Sequence, residues 1–194
     1  MATMGFEGGN GKKKLKITRR NGRIQKEEQY MSMAYIIAKR STCLRREVGA
    51  VLVRKGRIIS TGYNGSPRNC VHCEEIGCYR EQHNIPSGQA TEYCRAAHAE
   101  SNAISNAAFV GVSTENAYAY VTTKPCIDCA KNMINAGIIK IVYNEEYAGE
   151  ESETDKIMRD LLKESSVILE KYDGRIPQIT FTDEKEEKGK ITLE

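Results

Sequence analysis

Two short stretches of the chain carry residues whose types and spacing could do chemistry. His98-Ala99-Glu100 opens one helical pattern, and Pro125-Cys126-Ile127-Asp128-Cys129 opens another. Two cysteines three positions apart at a helix start can grip one metal ion together, and His98 supplies a third ligand. Zinc is the natural occupant of a mixed thiolate and imidazole set. Three protein ligands leave the fourth tetrahedral position for a water, which marks a catalytic rather than a structural zinc. The pKa of such a water falls to about 7, from about 15.7 in bulk. Two thiolates offset the zinc charge, so the site needs a base beside it. Glu100, two residues after His98, is that base. A carboxylate there takes a proton from the water and hands protons to a ring nitrogen and then to a leaving amine. Those transfers amount to hydrolytic deamination of an aminopyrimidine or aminopurine.

The elements that must position these residues follow from periodicity. Glu27 to Lys39 reads as a first helix, with Tyr30, Met33, Ala34, Ile37 and Ala38 at helical spacing. Val48 to Val53 and Arg57 to Thr61 read as a hairpin turned at Lys55-Gly56. Ala96 to Phe109 is a helix, Ala117 to Val121 a strand, and Cys126 to Ala136 a helix with Pro125 at its start and Gly137 at its end. Ile138 to Tyr143 is a strand, Asp155 to Glu164 a helix, and Val167 to Leu169 a last short strand. Ile176 and Ile179-Thr180-Phe181 have the composition of one more edge strand. This order predicts an α/β layered domain, its sheet sandwiched between helices. Between Gly62 and Arg95 no periodicity holds. That stretch contains Cys70, Cys73, Cys78 and Cys94 with His72 and His83, and a run so irregular inside a domain is usually functional or pinned.

Composition bounds the rest. A chain of 194 residues, 40% hydrophobic and 28% charged, suits one globular domain with a substantial core. Residues 1–25 read as a flexible basic tail, 26–171 as the domain with a 62–95 insert, and 172–194 as a charged tail. No apolar run approaches the roughly 18–20 residues of a membrane span, and Met1 to Lys16 lacks a signal peptide's apolar stretch. The expected location is therefore cytoplasmic. The net charge of +3 is too mild to imply nucleic-acid binding by the whole chain. The basic run from Lys12 to Arg23 and the acidic run from Glu145 to Asp155 read as solvated surface. Seven cysteines are an odd number with no secretory segment, which favours metal ligation or catalysis over a disulfide framework.

A lone Cys-x-x-Cys is a weak signal, but His-x-Glu followed about 25 positions later by Pro-Cys-x-x-Cys is the zinc deaminase signature. Here the chain resembles the cytidine deaminase-like superfamily, and more narrowly the deoxycytidylate deaminases of late-competence and phage type. The resemblance rests on Ser41 to Ala50 (STCLRREVGA), Thr61 to Pro67 (TGYNGSP), His72-Cys73, Gly77-Cys78, His98 to Ile104 (HAESNAI) and Pro125 through Gly137. It covers about residues 27–170. It implies a mixed five-stranded sheet with helices on both faces, and conversion of dCMP to dUMP and ammonia, feeding thymidylate synthesis. It implies zinc on His98, Cys126 and Cys129 with Glu100 shuttling protons, Asn64 on the deoxyribose and Tyr147 near the base. It also implies a homo-hexamer, activation by dCTP with Mg2+ near Gly62, Tyr63, Asn64 and Gly65, and inhibition by dTTP. Some relatives carry a second, structural zinc. Cys43 and Cys73 match two of its ligands, and Cys78, Cys94 or His83 would complete it, with Cys70 a bystander. Arg45, Arg46 and Lys124 are each placed to meet a phosphate, and the sequence does not choose among them.

Three other functions share parts of this pattern. A tRNA adenosine deaminase shares the metal motifs and would use the basic arm on RNA, but has a shorter connection before the histidine. A deaminase accepting dCTP would differ only in its phosphate contacts. A zinc-stabilised interaction module would need no base at Glu100. Nucleoside cytidine deaminases carry cysteine where His98 stands.

Overall fold

A computed structural model describes residues 23–86, 89–147 and 151–176. Its elements, in chain order, are α1 (Lys26–Ala38), β1 (Gly49–Arg54), β2 (Arg57–Tyr63), α2 (Cys73–Ile76), α3 (Tyr79–Gln82), a 3-10 turn (Thr91–Tyr93), α4 (Ala99–Phe109), β3 (Tyr118–Thr123), α5 (Ile127–Asn135), β4 (Lys140–Glu145), α6 (Glu153–Glu164) and β5 (Ile168–Lys171). The strands form one sheet in the order β2-β1-β3-β4-β5. β1 runs antiparallel to both β2 and β3, while β3, β4 and β5 are parallel. This is the mixed five-stranded sheet expected from the sequence. Among the described residues no helix is long and apolar enough to cross a membrane.

Alternation along the strands builds two cores. Ala50, Leu52, Ala119, Val121 and Ile141 face α4, α5 and α6, whose Ala99, Ala103, Cys129, Met133, Met158 and Leu162 are buried against them. Val51, Val53, Tyr120 and Val142 point to the opposite face, where α1 covers them with Tyr30, Met31 and Ala34. Tyr30 also donates from its hydroxyl to Gly56 O at 2.8 Å. That bond ties α1 to the hairpin turn, where Lys55 (φ +51°) and Gly56 (φ +72°) both adopt the left-handed backbone of a tight two-residue loop.

Helix α4, which carries Glu100, is pressed directly onto β2. A Cβ on Gly62 would lie 2.2 Å from Ala99 O and 2.4 Å from Ala103 N. Ser60 Oγ donates to Ala103 O at 2.6 Å, Asn102 Nδ2 to Tyr63 O at 2.8 Å and Asn106 Nδ2 to Thr61 O at 2.9 Å. Gly62 therefore sets the helix–sheet distance at the start of α4. Because its neighbours are backbone, Gly62→Ala forces the helix away and should cost roughly 3 kcal/mol. The melting temperature should drop by about 6–12 °C in a thermal scan.

The expected boundaries shift in instructive places. The helices read as Ala96–Phe109 and Cys126–Ala136 begin at Ala99 and Ile127, because His98 and Cys126 hold extended backbone as their N-caps. Pro125 thus precedes the cap instead of opening the helix. Helix α6 starts at Glu153, not Asp155, because Ser152 and Asp155 form a reciprocal capping box. The irregular 62–95 stretch contains α2, α3 and the 3-10 turn. A two-way bridge closes its base: Gly65 N to Ala97 O at 3.2 Å and Ala97 N to Gly65 O at 2.9 Å. The chain also stays on the core past Lys171. Tyr172 is buried, its amide donates to Tyr143 O, and Ile176 packs beside it. The tail expected from 172 therefore does not begin there. Most of the basic tail, residues 1–22, and the Ile179–Phe181 strand lie outside the described residues.

Candidate metal and catalytic centre

The site collects at one end of the sheet. Gly49 pairs with Tyr63, Ala50 with Val121 and Thr123 with Glu145. The approach to β1 and the exits of β2, β3 and β4 therefore all lie at this end. Ligands in open α/β sheets bind outside such strand ends. β3 leads through Lys124 and Pro125 into α5, which brings Cys126 and Cys129 there. The bridge at Gly65 and Ala97 returns the chain from the insert to the same place and delivers His98.

His98 Nδ1 lies 3.3 Å from Cys129 Sγ and 3.4 Å from Cys126 Sγ. The three ligand atoms all fall within 4.8 Å of one another, the one such group among the described residues. Zinc bonds of about 2.3 Å to sulfur and about 2.0–2.1 Å to nitrogen give tetrahedral edges of roughly 3.5–3.8 Å, so the residues fit the ion with little movement. The Cys129 amide reaches Cys126 Sγ at 3.5 Å, so the first ligand also caps the helix that carries the second.

Without metal, the two thiols share one proton. Cys126 is pushed down to about 4, first by the hydrogen bond from the Cys129 thiol and, against burial, by His98 and the Cys129 amide. Cys129, which holds the shared proton, is pushed up by that bond and by burial. His98 is raised, chiefly by Cys126. Glu100 is 4% exposed in the first turn of α4, and burial raises its carboxyl above the ordinary carboxylate range. A carboxyl tuned upward beside a metal site can both accept and return a proton near neutral pH.

These geometric facts agree with what the chain is similar to. Residues 24–145 match the family described as the cytidine and deoxycytidylate deaminase zinc-binding region. The chain belongs to that family. It is 38% identical over 152 residues to ComE operon protein 2 of Bacillus subtilis, covering 78% of this chain and 73% of that one. It is 38% identical over 146 residues to the deoxycytidylate deaminase of Schizosaccharomyces pombe, covering 75% of this chain but 44% of the yeast protein. The chain thus spans less than half of that relative's length. The solved dCMP deaminase of cyanophage S-TIM5, in complex with dCMP and dUMP, superposes with a TM-score of 0.61 at 31% identity, over 75% of this chain and 96% of that one.

The other expected site residues fall in three places. Asn64 is buried, and its side chain is largely occupied: Oδ1 accepts from Val48 N at 2.8 Å and Nδ2 donates to Arg46 O at 2.8 Å. It staples the segment before β1 to the exit of β2. Tyr63 and Gly65 flank it, and Gly62 lies under α4, with no free space for a Cβ. Tyr147 leaves β4 two residues past its end. Arg46 lies over its ring, 4.8 Å from the centroid. Desolvation, with the negative charges of Glu100 and Cys126, pushes the Tyr147 hydroxyl upward, so the catalytic end is electrostatically close. Cys43, Cys73, Cys78 and Cys94 are all free thiols. They gather around Cys73, whose thiol is raised by burial and then by the other three. No three of them lie within 4.8 Å of one another. The sequence reading missed the stapling role of Asn102 and Asn106, although two asparagines four apart on a helix facing a sheet are a legible signal.

Proposed function

We propose that the chain is a zinc-dependent deaminase that converts dCMP and water to dUMP and ammonia. The single observation that carries the reading is a buried carboxyl, Glu100, beside a three-ligand His98/Cys126/Cys129 set in a chain of this family. Bound zinc would supply a nucleophilic water at neutral pH. Glu100 takes the proton from that water and delivers it to N3 of the cytosine ring as the oxygen adds at C4. It then carries the proton of the hydroxyl added at C4 to the exocyclic amine, and the C–N bond breaks as the C4 carbonyl forms, releasing ammonia. His98, Cys126 and Cys129 would hold the metal, with Glu100 beside them in the first turn of α4. Tyr147 packs toward the base, and the one N–H that Asn64 Nδ2 has left reaches the deoxyribose.

The finer parts of the reading are these. Cys43, Cys73, Cys78 and Cys94 hold a second, structural zinc that draws the four sulfurs together and pins the insert; the burial of Cys73 and Cys78 supports this. The chain acts as a homo-hexamer in the cytoplasm. It is activated by dCTP with Mg2+ near Gly62–Gly65 and inhibited by dTTP, and its dUMP feeds thymidylate synthesis. Nucleic acid is not its substrate.

The test is ammonia release from dCMP, dCTP, deoxycytidine and an adenosine-bearing tRNA stem-loop, each with and without dCTP and Mg2+. Turnover of dCMP that dCTP raises is the expected result. Activity confined to the RNA would overturn the nucleotide reading.

A further inference from the structure

The metal-ligand residues gather at one end of the sheet, and the opposite end is basic. There the hairpin closes, with Arg54 paired to Arg57 and, one residue back, Val53 to Tyr118. Lys55 and Arg57 are exposed at the turn, and Arg54 is partly exposed. Helix α1 begins beside them, with Arg23 and Lys26 exposed at its start. Tyr30 holds Gly56 O at 2.8 Å, and a Cβ on Gly56 would lie 3.5 Å from Lys26 Nζ. The start of α1 and the turn therefore form one surface.

This arrangement brings the fold no evident gain. Arg54 and Arg57 stand directly opposite each other, and like charges so placed repel. Among the described residues no carboxylate lies within 4.0 Å of Arg23, Lys26, Arg54, Lys55 or Arg57. Arg54 reaches only Ser113 O, at 3.4 Å. Glu27 and Glu170 are engaged by Lys140. The sequence entering this surface is basic as well: Lys12 to Lys26 holds eight cations and no acid. A cationic surface without compensating acids is complementary to a polyanion. An anionic membrane is the poorer match, because helices that lie on membranes carry an apolar face. Residues 11–26 offer only Leu15, Ile17 and Ile24 for one, with Gly11 and Gly22 among them. A nucleic acid needs no such face, since release of its condensed counterions drives binding to spaced cations.

We propose that the hairpin-turn end of the sheet, with the basic segment that leads into α1, binds the phosphate backbone of a nucleic acid without reading its sequence. The catalytic end lies the length of β1 away, from Arg54 to Gly49, about 17 Å at the usual rise per residue. A polymer bound at the turn leaves the metal centre open to a free nucleotide. The surface tethers the enzyme and takes no part in the reaction.

The test titrates the full, zinc-loaded chain into a labelled DNA duplex of about 30 base pairs and follows anisotropy between about 50 and 200 mM salt. The wild type should bind with a Kd of about 10⁻⁶–10⁻⁴ M near physiological salt, and log K should fall linearly with log salt. The comparison is the double variant Lys26→Glu with Arg57→Glu. A carboxylate in the first turn of α1 suits the helix, and one opposite Arg54 replaces a repulsion, so the melting temperature should not fall. Affinity at about 100 mM salt should drop about 10–100-fold, and the salt slope should shrink by about two. Turnover of dCMP should be unchanged. No duplex binding by the wild type at the lowest salt, or an affinity and slope that the double variant leaves unaltered, would overturn the proposal. Binding confined to phosphatidylserine-containing vesicles, run in parallel, would overturn it in favour of a membrane. Because anisotropy reads binding alone, failure of the deaminase reading would leave this test standing.

Discussion

Glu100→Gln should fold, bind zinc like the wild type and lose at least about 10³-fold in turnover of dCMP. The amide keeps the shape of the buried side chain but cannot accept a proton from water or return one to the ring and the amine. His98, Cys126 and Cys129 are untouched, so zinc content by atomic emission should be unchanged. Stability gives an independent sign. Burial raises the Glu100 carboxyl in the folded, metal-free chain above its unfolded value. Its contribution is therefore most favourable below the unfolded pKa and is lost as pH rises through the folded one. At pH 7 the wild type carries that cost and the neutral amide does not. The metal-free variant should thus melt no lower than the metal-free wild type. A variant that kept a tenth of the activity would remove Glu100 from the proton transfers.

Cys129→Ala should be as damaging to turnover by a different route. Cys129 is 2% exposed and lies within ligand distance of His98. Altering outer-shell partners of a zinc site costs about 10–100-fold in affinity, and removing a ligand costs more. Activity should fall to background at micromolar zinc, and the bound metal should drop from two equivalents to one, the remaining ion being the one proposed on the insert. The metal-free variant should also show Cys126 titrating higher than in the wild type. The thiol that donates to it, the largest contributor to its lowered pKa, would be gone. Glu100→Gln loses chemistry with metal in place, whereas Cys129→Ala loses both, so the two variants separate the base from the ligand.

The metal-ligand group was legible in the sequence because each half of it is local. His98 and Glu100 are two residues apart and Cys126 and Cys129 three, and each pair opens a helix whose geometry follows from short-range rules. The sheet was legible for the same reason, since alternation and turn residues mark strands one by one. What was not legible depends on contacts between distant segments. The insert looked formless because its order comes from Gly65 meeting Ala97 and from Arg45 reaching Ile85. The close approach of α4 to Gly62, whose missing Cβ makes room for the helix backbone, is another such contact. Asn64 carries, beside its proposed contact with the deoxyribose, a stapling role that no local signal marks: Oδ1 and Nδ2 are engaged by residues 48 and 46. The surroundings of Arg45, Arg46 and Lys124 were likewise set by distant residues: Glu81 for the first, Tyr147 for the second and Asp155 for the third. The Ser152 capping box was present in the sequence as Ser-x-x-Asp and is a local signal that the reading of α6 passed over.

The proposed activity depends on zinc at His98, Cys126 and Cys129. The measurement is to strip the full chain of metal, restore zinc stepwise, and follow dUMP and ammonia together. The expected result is no turnover without metal, and equal release of dUMP and ammonia that rises with bound zinc in the wild type but not in Cys129→Ala. Undiminished deamination by the stripped chain, or a zinc-loaded and folded wild type that leaves dCMP intact, would contradict it.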